Sequence, residues 1–310
     1  MAVVGGREIA IETAIRRRRS ARRIFLESLG KLALYAILSA GAVIFAAPFA
    51  WMVVASTQSL DNMFRYPPSW IPINPSLDNY IRFLQAENLG RWVFNSAYVS
   101  ISVTALQLFF NSLSAYTYAK RRFPGRDVLF AIGLATMMIP GWVTLIPSYL
   151  ILKHIPLFGG NNLLGQGGHG WLDSYWGLIA PGVVSTFGIF LLRQYMKTIP
   201  DELLEAAKID GASHWRIYWQ IVLPLCRPAL AAHAIFTFSY TWDDFFWPLI
   251  IISSDQLQTL PLGLALFVIK NRTVWDLVMA GSVLATLPVL LMFLLFQRQF
   301  IQGITLTGLK

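Results

Sequence analysis

Cysteine, charge and histidine are all scarce in this chain, and each shortage removes a class of function. Cys226 is the one cysteine among 310 residues, so no intramolecular disulfide can form and a structural zinc site would lack its usual thiolates. Charged residues make up only 13%, roughly half the share of an ordinary soluble domain. Against this, 55% of the residues are hydrophobic and the mean hydropathy is +0.54. That is more apolar surface than one water-soluble core can hide, so the composition points to a bilayer and excludes disorder, collagen-like repeats and disulfide scaffolds. The four histidines, His154, His169, His214 and His233, are scattered, and none forms a zinc-protease pair with a neighbouring glutamate. No phosphate-binding loop of the G-x-x-x-x-G-K-[ST] type occurs, so no nucleotide site of that type is expected in the chain. No catalytic group, metal site or cofactor is expected.

What the chain does have is long apolar runs. A bilayer core about 30 Å thick needs roughly 20 apolar helical residues. Five stretches free of charge qualify, lying between Lys31 and Asp61, Arg91 and Lys120, Asp127 and Lys153, Asp173 and Arg193, and Asp276 and Arg298. A sixth, weaker run begins at Pro228, meets Asp243 and Asp244, and resumes with Phe245 to Ile252; it spans only if the two acids sit near its far end. The stretch from His154 to Leu172 also lacks formal charge, but six glycines and Asn161-Asn162 make it a loop. Leu257 to Ile269, with Pro261 and Gly263, is too short to span and reads as an interfacial or re-entrant segment.

Six spans put both termini on one side. Of the 25 Lys and Arg residues, 19 fall on that side: in the N-terminal segment 1–31, in the loops after the second and fourth spans, and in the tail. The opposite side has only Arg65, Arg82, Arg91, Lys153, Lys270 and Arg272. By the positive-inside rule both termini are cytoplasmic, and the net charge of +9 reflects topology and anionic lipid rather than nucleic acid. Arg22-Arg23 followed by Phe25-Leu26 loosely matches a twin-arginine export signal, but the apolar run behind it is a full span with five more after it, so an uncleaved first helix is expected.

The polar inner loop Arg193 to Leu225 reads as two short helices. Pro200 suits the first helical position, with Asp201 and Glu202 at the positive end of the dipole. Leu203, Ala206, Ala207 and Asp210 then share one face. Gly211 ends the helix in a left-handed turn, and Ser213 caps a second helix carrying Trp215, Tyr218, Val222 and Cys226 on one side. Small Ala206 and Ala207 beside Glu205 make a low-profile helix that can slot into a groove on a partner; spacing alone equally allows an amphipathic helix lying on the lipid surface.

Glu205-Ala206-Ala207, then Gly211 after three residues, then Ile221-x-Leu223-Pro224 after nine more, resembles the EAA signature of binding-protein-dependent ABC importer permeases. Further segments resemble the maltose-type carbohydrate permeases of that superfamily, among them Asn79-Tyr80, Asn95-Ser96, Ala115-Tyr116, Phe123-Pro124-Gly125-Arg126 and Leu260-Pro261-Leu262-Gly263. The resemblance implies an all-α polytopic membrane fold of the type I ABC importer permease kind. It would have a basic segment 1–31, a permease domain 32–300 with its coupling loop at about 198–224, and a tail 301–310. It also implies a non-catalytic permease subunit moving a carbohydrate, an oligosaccharide or related sugar, across the cytoplasmic membrane. Its partners would be a second, different permease, two ATPase subunits and an extracytoplasmic solute-binding protein. Glu205, Ala206, Ala207, Asp210, Gly211, Leu223 and Pro224 would couple the chain to the ATPase. Tyr240, Trp242, Asp243 and Asp244 are candidates for the solute pathway or outer gate, the alternative being that the aromatics serve as interface belt and helix packing and the acids sit among headgroups. The sequence departs from the family at Ser56-Thr57-Gln58, at Trp242-Asp243-Asp244 and in the glycine-rich stretch 159–170. An ion-coupled transporter would need buried mid-membrane carboxylates and related halves, and an intramembrane hydrolase a Ser, His or acid constellation; neither is evident.

Overall fold

The computed structural model describes the backbone of residues 2–85, 88–270 and 274–305, and the side chains of 27–85, 88–265 and 274–297. Arg272 and Lys310, both used in the charge sorting, lie outside the described residues, as do positions 306–310 of the expected tail. The described residues are helical, with no strand among them. Three helices are long and apolar enough to cross a membrane singly: Glu27–Ser56, Leu89–Lys120 and Trp275–Gln297. The boundary expected at residue 31 falls inside one unbroken helix, Ala2–Ser56.

The other three expected spans are not single helices. Arg126–Thr136 and Gly141–Lys153 meet at 100°, Tyr175–Gly182 and Thr186–Lys197 at 40°, and His214–Leu225 and Arg227–Trp242 at 78°. Each break has a local cause. Pro140 and Pro228 lack the N–H that would carry a helical ladder across the first and third junctions. Ser185 caps Thr186–Lys197, its Oγ accepting from Gly188 N at 3.3 Å, and so starts a new helix instead of continuing the old one. The sixth apolar run stops at Trp242, and Phe246–Ile251 is a separate helix beyond the two acids. Leu260–Lys270 is a helix about 16 Å long at 1.5 Å per residue, packed against the second and last spans and too short to cross.

The second span, Leu89–Lys120, is the hub of the bundle and packs most extensively on Thr186–Lys197 and Arg227–Trp242. Its buried stripe is polar through the middle, with Asn95, Ser96, Ser100, Thr104, Gln107, Asn111 and Ser112 recurring at helical spacing. In lipid such side chains need partners, and Asn95, Ser96, Gln107 and Asn111 find them at the ends of other elements, whereas Ser100 Oγ and Thr104 Oγ1 have none among the described residues. Asn95 Nδ2 donates to the carbonyls of Gln256 (2.9 Å) and Gln258 (2.8 Å), and Ser96 Oγ accepts from Leu260 N at 2.7 Å. Gln107 Nε2 donates to Gly182 O at 2.6 Å, and Asn111 Oδ1 accepts from Ser185 N at 3.1 Å. Two of the backbone groups bared at the break in the fourth span, Gly182 O and Ser185 N, are thereby satisfied. Buried His233 joins this cluster through Asn111 Nδ2 at 3.0 Å, and Thr237 Oγ1 donates to Gln107 Oε1 at 3.0 Å.

The stretch 154–172 is a loop, as its glycines require, and a compact one. Asn161 Nδ2 donates to the carbonyls of Lys153 and Ile155 (2.8 and 2.9 Å), while its Oδ1 accepts from Gly168 N at 2.8 Å.

Candidate coupling site

Below the bundle, the chain leaves Thr186–Lys197, turns at Pro200 and forms the helix Asp201–Ile209. Pro200 stands just outside this helix, with ψ 135°, and not at its first helical position as the sequence suggested. Asp201 and Glu202 occupy the first turn and Lys208 the last, the arrangement that complements the helix dipole. The helix closes in a Schellman turn. Ala212 N donates to Ala207 O at 2.9 Å and Gly211 N to Lys208 O at 3.0 Å, with Gly211 at φ +78°. Ser213 then caps the next segment, its Oγ accepting from Arg216 N at 3.2 Å.

Two apolar contacts hold this helix to the body. Leu204 is buried and Ala207 half-buried, in a cluster with Tyr116, Leu192, Met196 and Tyr218. The remaining surface faces away: Leu203, Glu205, Ala206 and Asp210 are exposed, and Ile209 is 87% exposed. The face expected from spacing, Leu203 with Ala206, Ala207 and Asp210, is therefore largely an open one with small residues at its centre. Of the later positions in the signature, Leu223 is half-buried and Pro224 exposed.

The second short helix differs from the expected single amphipathic turn pattern. His214–Ile217 passes into a π-helical stretch, Tyr218–Val222, before Leu223–Leu225. Its buried stripe is Ile217, Tyr218, Val222 and Cys226, and Tyr218 OH lies 2.8 Å from Ser112 Oγ of the second span. Trp215, expected on this stripe, is instead exposed at its rim, its ring centroid 5.6 Å from that of Tyr218. A π-helical turn holds more residues than an α-helical one, so the stripe shifts relative to the first turn.

Side chains that the motif does not name complete the site. Lys120, the last residue of the second span, donates to Asp201 Oδ1 at 2.7 Å and to Ile199 O at 2.5 Å. That hydrogen bond and the charge behind it hold the Asp201 carboxyl below the usual carboxylate range. Arg193, buried at the end of the fourth span, lies over the Phe130 ring (3.8 Å to the centroid) and 3.6 Å from Asp127. The sequence signal for Lys120 was available, a lysine ending an apolar run, but its partners were 79 and 81 residues away.

At the opposite end, the outer candidates separate. Tyr240 is 79% exposed and Asp243 is exposed. Trp242 is only 3% exposed; its indole stacks on Phe238 and donates to Ala285 O at 2.9 Å. In this chain it packs between spans, the alternative that the sequence left open for these aromatics. Asp244 is half-buried and accepts from Trp247 N at 3.2 Å, so it caps Phe246–Ile251.

Comparison with known proteins places this geometry. Residues 109–305 match the family described as binding-protein-dependent transport system inner membrane component. An arabinooligosaccharides transport system permease protein of Halalkalibacterium halodurans is 33% identical over 266 residues, 85% of this chain and 90% of that protein. A lactose transport system permease protein of Rhizobium radiobacter is 32% identical over 270 residues, 87% and 93% of the two chains. An sn-glycerol-3-phosphate transport system permease protein of Yersinia enterocolitica is 32% identical over 279 residues, 87% and 94%. Among solved structures, a chain of a bacterial ABC transporter involved in the import of the acidic polysaccharide alginate shares the fold. Its TM-score is 0.73 at 23% identity, over 88% of this chain and 96% of that one.

Proposed function

The chain belongs to the binding-protein-dependent transport system inner membrane components, the permease subunits of ABC importers, and on that premise we propose that it carries a carbohydrate through a complex powered by separate ATPase subunits. The observation that carries this reading is the segment Asp201–Gly211. It is a short helix seated through Leu204 and Ala207 and tied by Asp201 to Lys120, and it offers Glu205, Ala206 and Ile209 to a partner. Glu205, Ala206, Ala207, Asp210 and Gly211 form the docking element in this reading, and Leu223 and Pro224 end the segment that carries its motion into the fifth span. ATP is hydrolysed on the partner. A second permease, different from this one, completes the pathway, and a solute-binding protein delivers the sugar on the outer side. The relatives named for arabino-oligosaccharide and lactose transport support a sugar, and exposed Tyr240 offers a ring on which one can stack.

The test is purification of the complex and its reconstitution in vesicles. Two ATPase copies are expected to accompany the two permeases, and ATP hydrolysis to rise when binding protein loaded with an arabino-oligosaccharide is added. Uptake that persists without any ATPase subunit and follows an ion gradient would overturn the reading.

Orientation follows from the charge sorting, with residues 1–31 and 301–310 in the cytoplasm and 32–300 forming the permease domain. A reporter at Gly125 or at the C-terminus is expected to report cytoplasm, and one near Asn74 or Gly168 the outer side. A cytoplasmic signal at Gly168 would sink the six-span topology.

A further inference from the structure

We propose that Lys120 is a positioning residue that straps the coupling helix to the second span, so that motion imposed on that helix is passed to the end of the second span through its ammonium group. The inference rests on the coupling role proposed above for Asp201–Gly211.

Pro200 makes the strap necessary. It separates Thr186–Lys197 from Asp201–Ile209, has no N–H, and holds ψ near 135°, so no helical hydrogen bond crosses the elbow. Left to the backbone alone, the coupling helix would swing on this joint without moving the helix behind it. The Lys120 ammonium bridges the joint. On one side it donates to the carbonyl of Ile199, which precedes the proline; on the other it donates to the carboxylate of Asp201, which follows it. The two contacts draw both sides of the elbow onto the end of Leu89–Lys120, the hub of the bundle.

The environment makes the contact stiff. The Lys120 side chain is 4% exposed, whereas that of Asp201 is 72% exposed. A donor group so sheltered from water needs acceptors in place, and here they are one carboxylate and one carbonyl. Ile199 and Leu204, buried on either side of the elbow, pack in the same apolar cluster as Ala115 and Tyr116, one turn back along the second span. Lysine suits the position because its flexible stem and three donors reach two acceptors that lie in different directions.

The test uses the full complex with its ATPases, partner permease and binding protein in vesicles, and reads radiolabelled arabino-oligosaccharide imported per ATP hydrolysed. Lys120→Met keeps the stem and removes the donors; its import per ATP is expected to fall by about tenfold or more, because hydrolysis no longer moves the bundle. Asp201→Asn, at an exposed carboxylate, is expected to lower the same ratio by roughly threefold, and Lys120→Arg to restore most of it. A merely structural role would reduce assembled complex, hydrolysis and uptake in parallel and leave the ratio fixed. An unaltered ratio in Lys120→Met, or in Asp201→Asn if the methionine variant fails to assemble, overturns the strap while wild type remains coupled. A wild-type complex whose hydrolysis ignores loaded binding protein overturns the coupling role itself, and the strap with it.

Discussion

Gly211→Val is expected to reduce uptake by about tenfold or more while leaving the amount of chain in the membrane unchanged. The residue stands at φ +78° in the Schellman turn, where a β-branched side chain costs on the order of 1–2 kcal/mol or more. Since about 1.4 kcal/mol is a factor of ten in an equilibrium, the turn would lose roughly five- to thirtyfold against its alternatives, and in those Ser213 would begin its helix from the wrong direction. Steric crowding plays no part, because a Cβ built on Gly211 meets nothing within 4 Å. The prediction is therefore specific to backbone conformation. Gly211→Asn, a residue that tolerates the left-handed region, should retain most of the uptake that valine loses. Equal loss in both variants would mean that the glycine is needed for close contact with the partner and not for the turn.

Glu205→Lys is expected to be as damaging by a different route. Glu205 is exposed and makes no ion pair with any described residue, so its reversal leaves this chain's own fold alone. The cost falls on the partner. Removing one member of a charge pair buried at an interface typically costs about 2–5 kcal/mol, and reversing it adds repulsion, so association with the ATPase should weaken by at least roughly thirtyfold. Lys208→Ala, at the last turn of the same helix, should be mild, since exposed charges of this kind contribute about 1 kcal/mol or less. Recovery of the ATPase on affinity-purified permease separates the two variants. Wild-type recovery and wild-type uptake with Glu205→Lys would leave this helix as a surface element without a coupling role.

The apolar runs, the loop at 154–172 and the helix-turn-helix around Gly211 could be read in the sequence because each is a local property. Charge-free length marks a span, clustered glycines a loop, and Gly211 followed by Ser213 a turn and a cap. The bends could not be read this way. Hydropathy between Asp127 and Lys153 reports how much apolar chain there is, not that Pro140 turns it through 100°. Trp215 and Trp242 show the same limit in reverse. Helical spacing put the first on one side with Tyr218, Val222 and Cys226 and left the second between pathway and packing, yet a π-helical stretch sets Trp215 off the buried stripe and a carbonyl 43 residues away, that of Ala285, takes the indole of Trp242. The polar stripe of the second span is laid out at helical spacing, but its meaning lies in the broken helices whose backbone groups Gln107 and Asn111 meet.

That stripe also fixes an order of synthesis. The Gly182 carbonyl and Ser185 amide can leave water at low cost only where Gln107 and Asn111 already stand, and those emerge from the ribosome 75 and 74 residues earlier. At about 5–20 residues per second the second span has roughly 4–15 s to settle before the fourth arrives, and His233 and Thr237 close the cluster later still. A permuted chain that delivered the fourth span first would present its bare backbone to the translocon with nothing there to receive it.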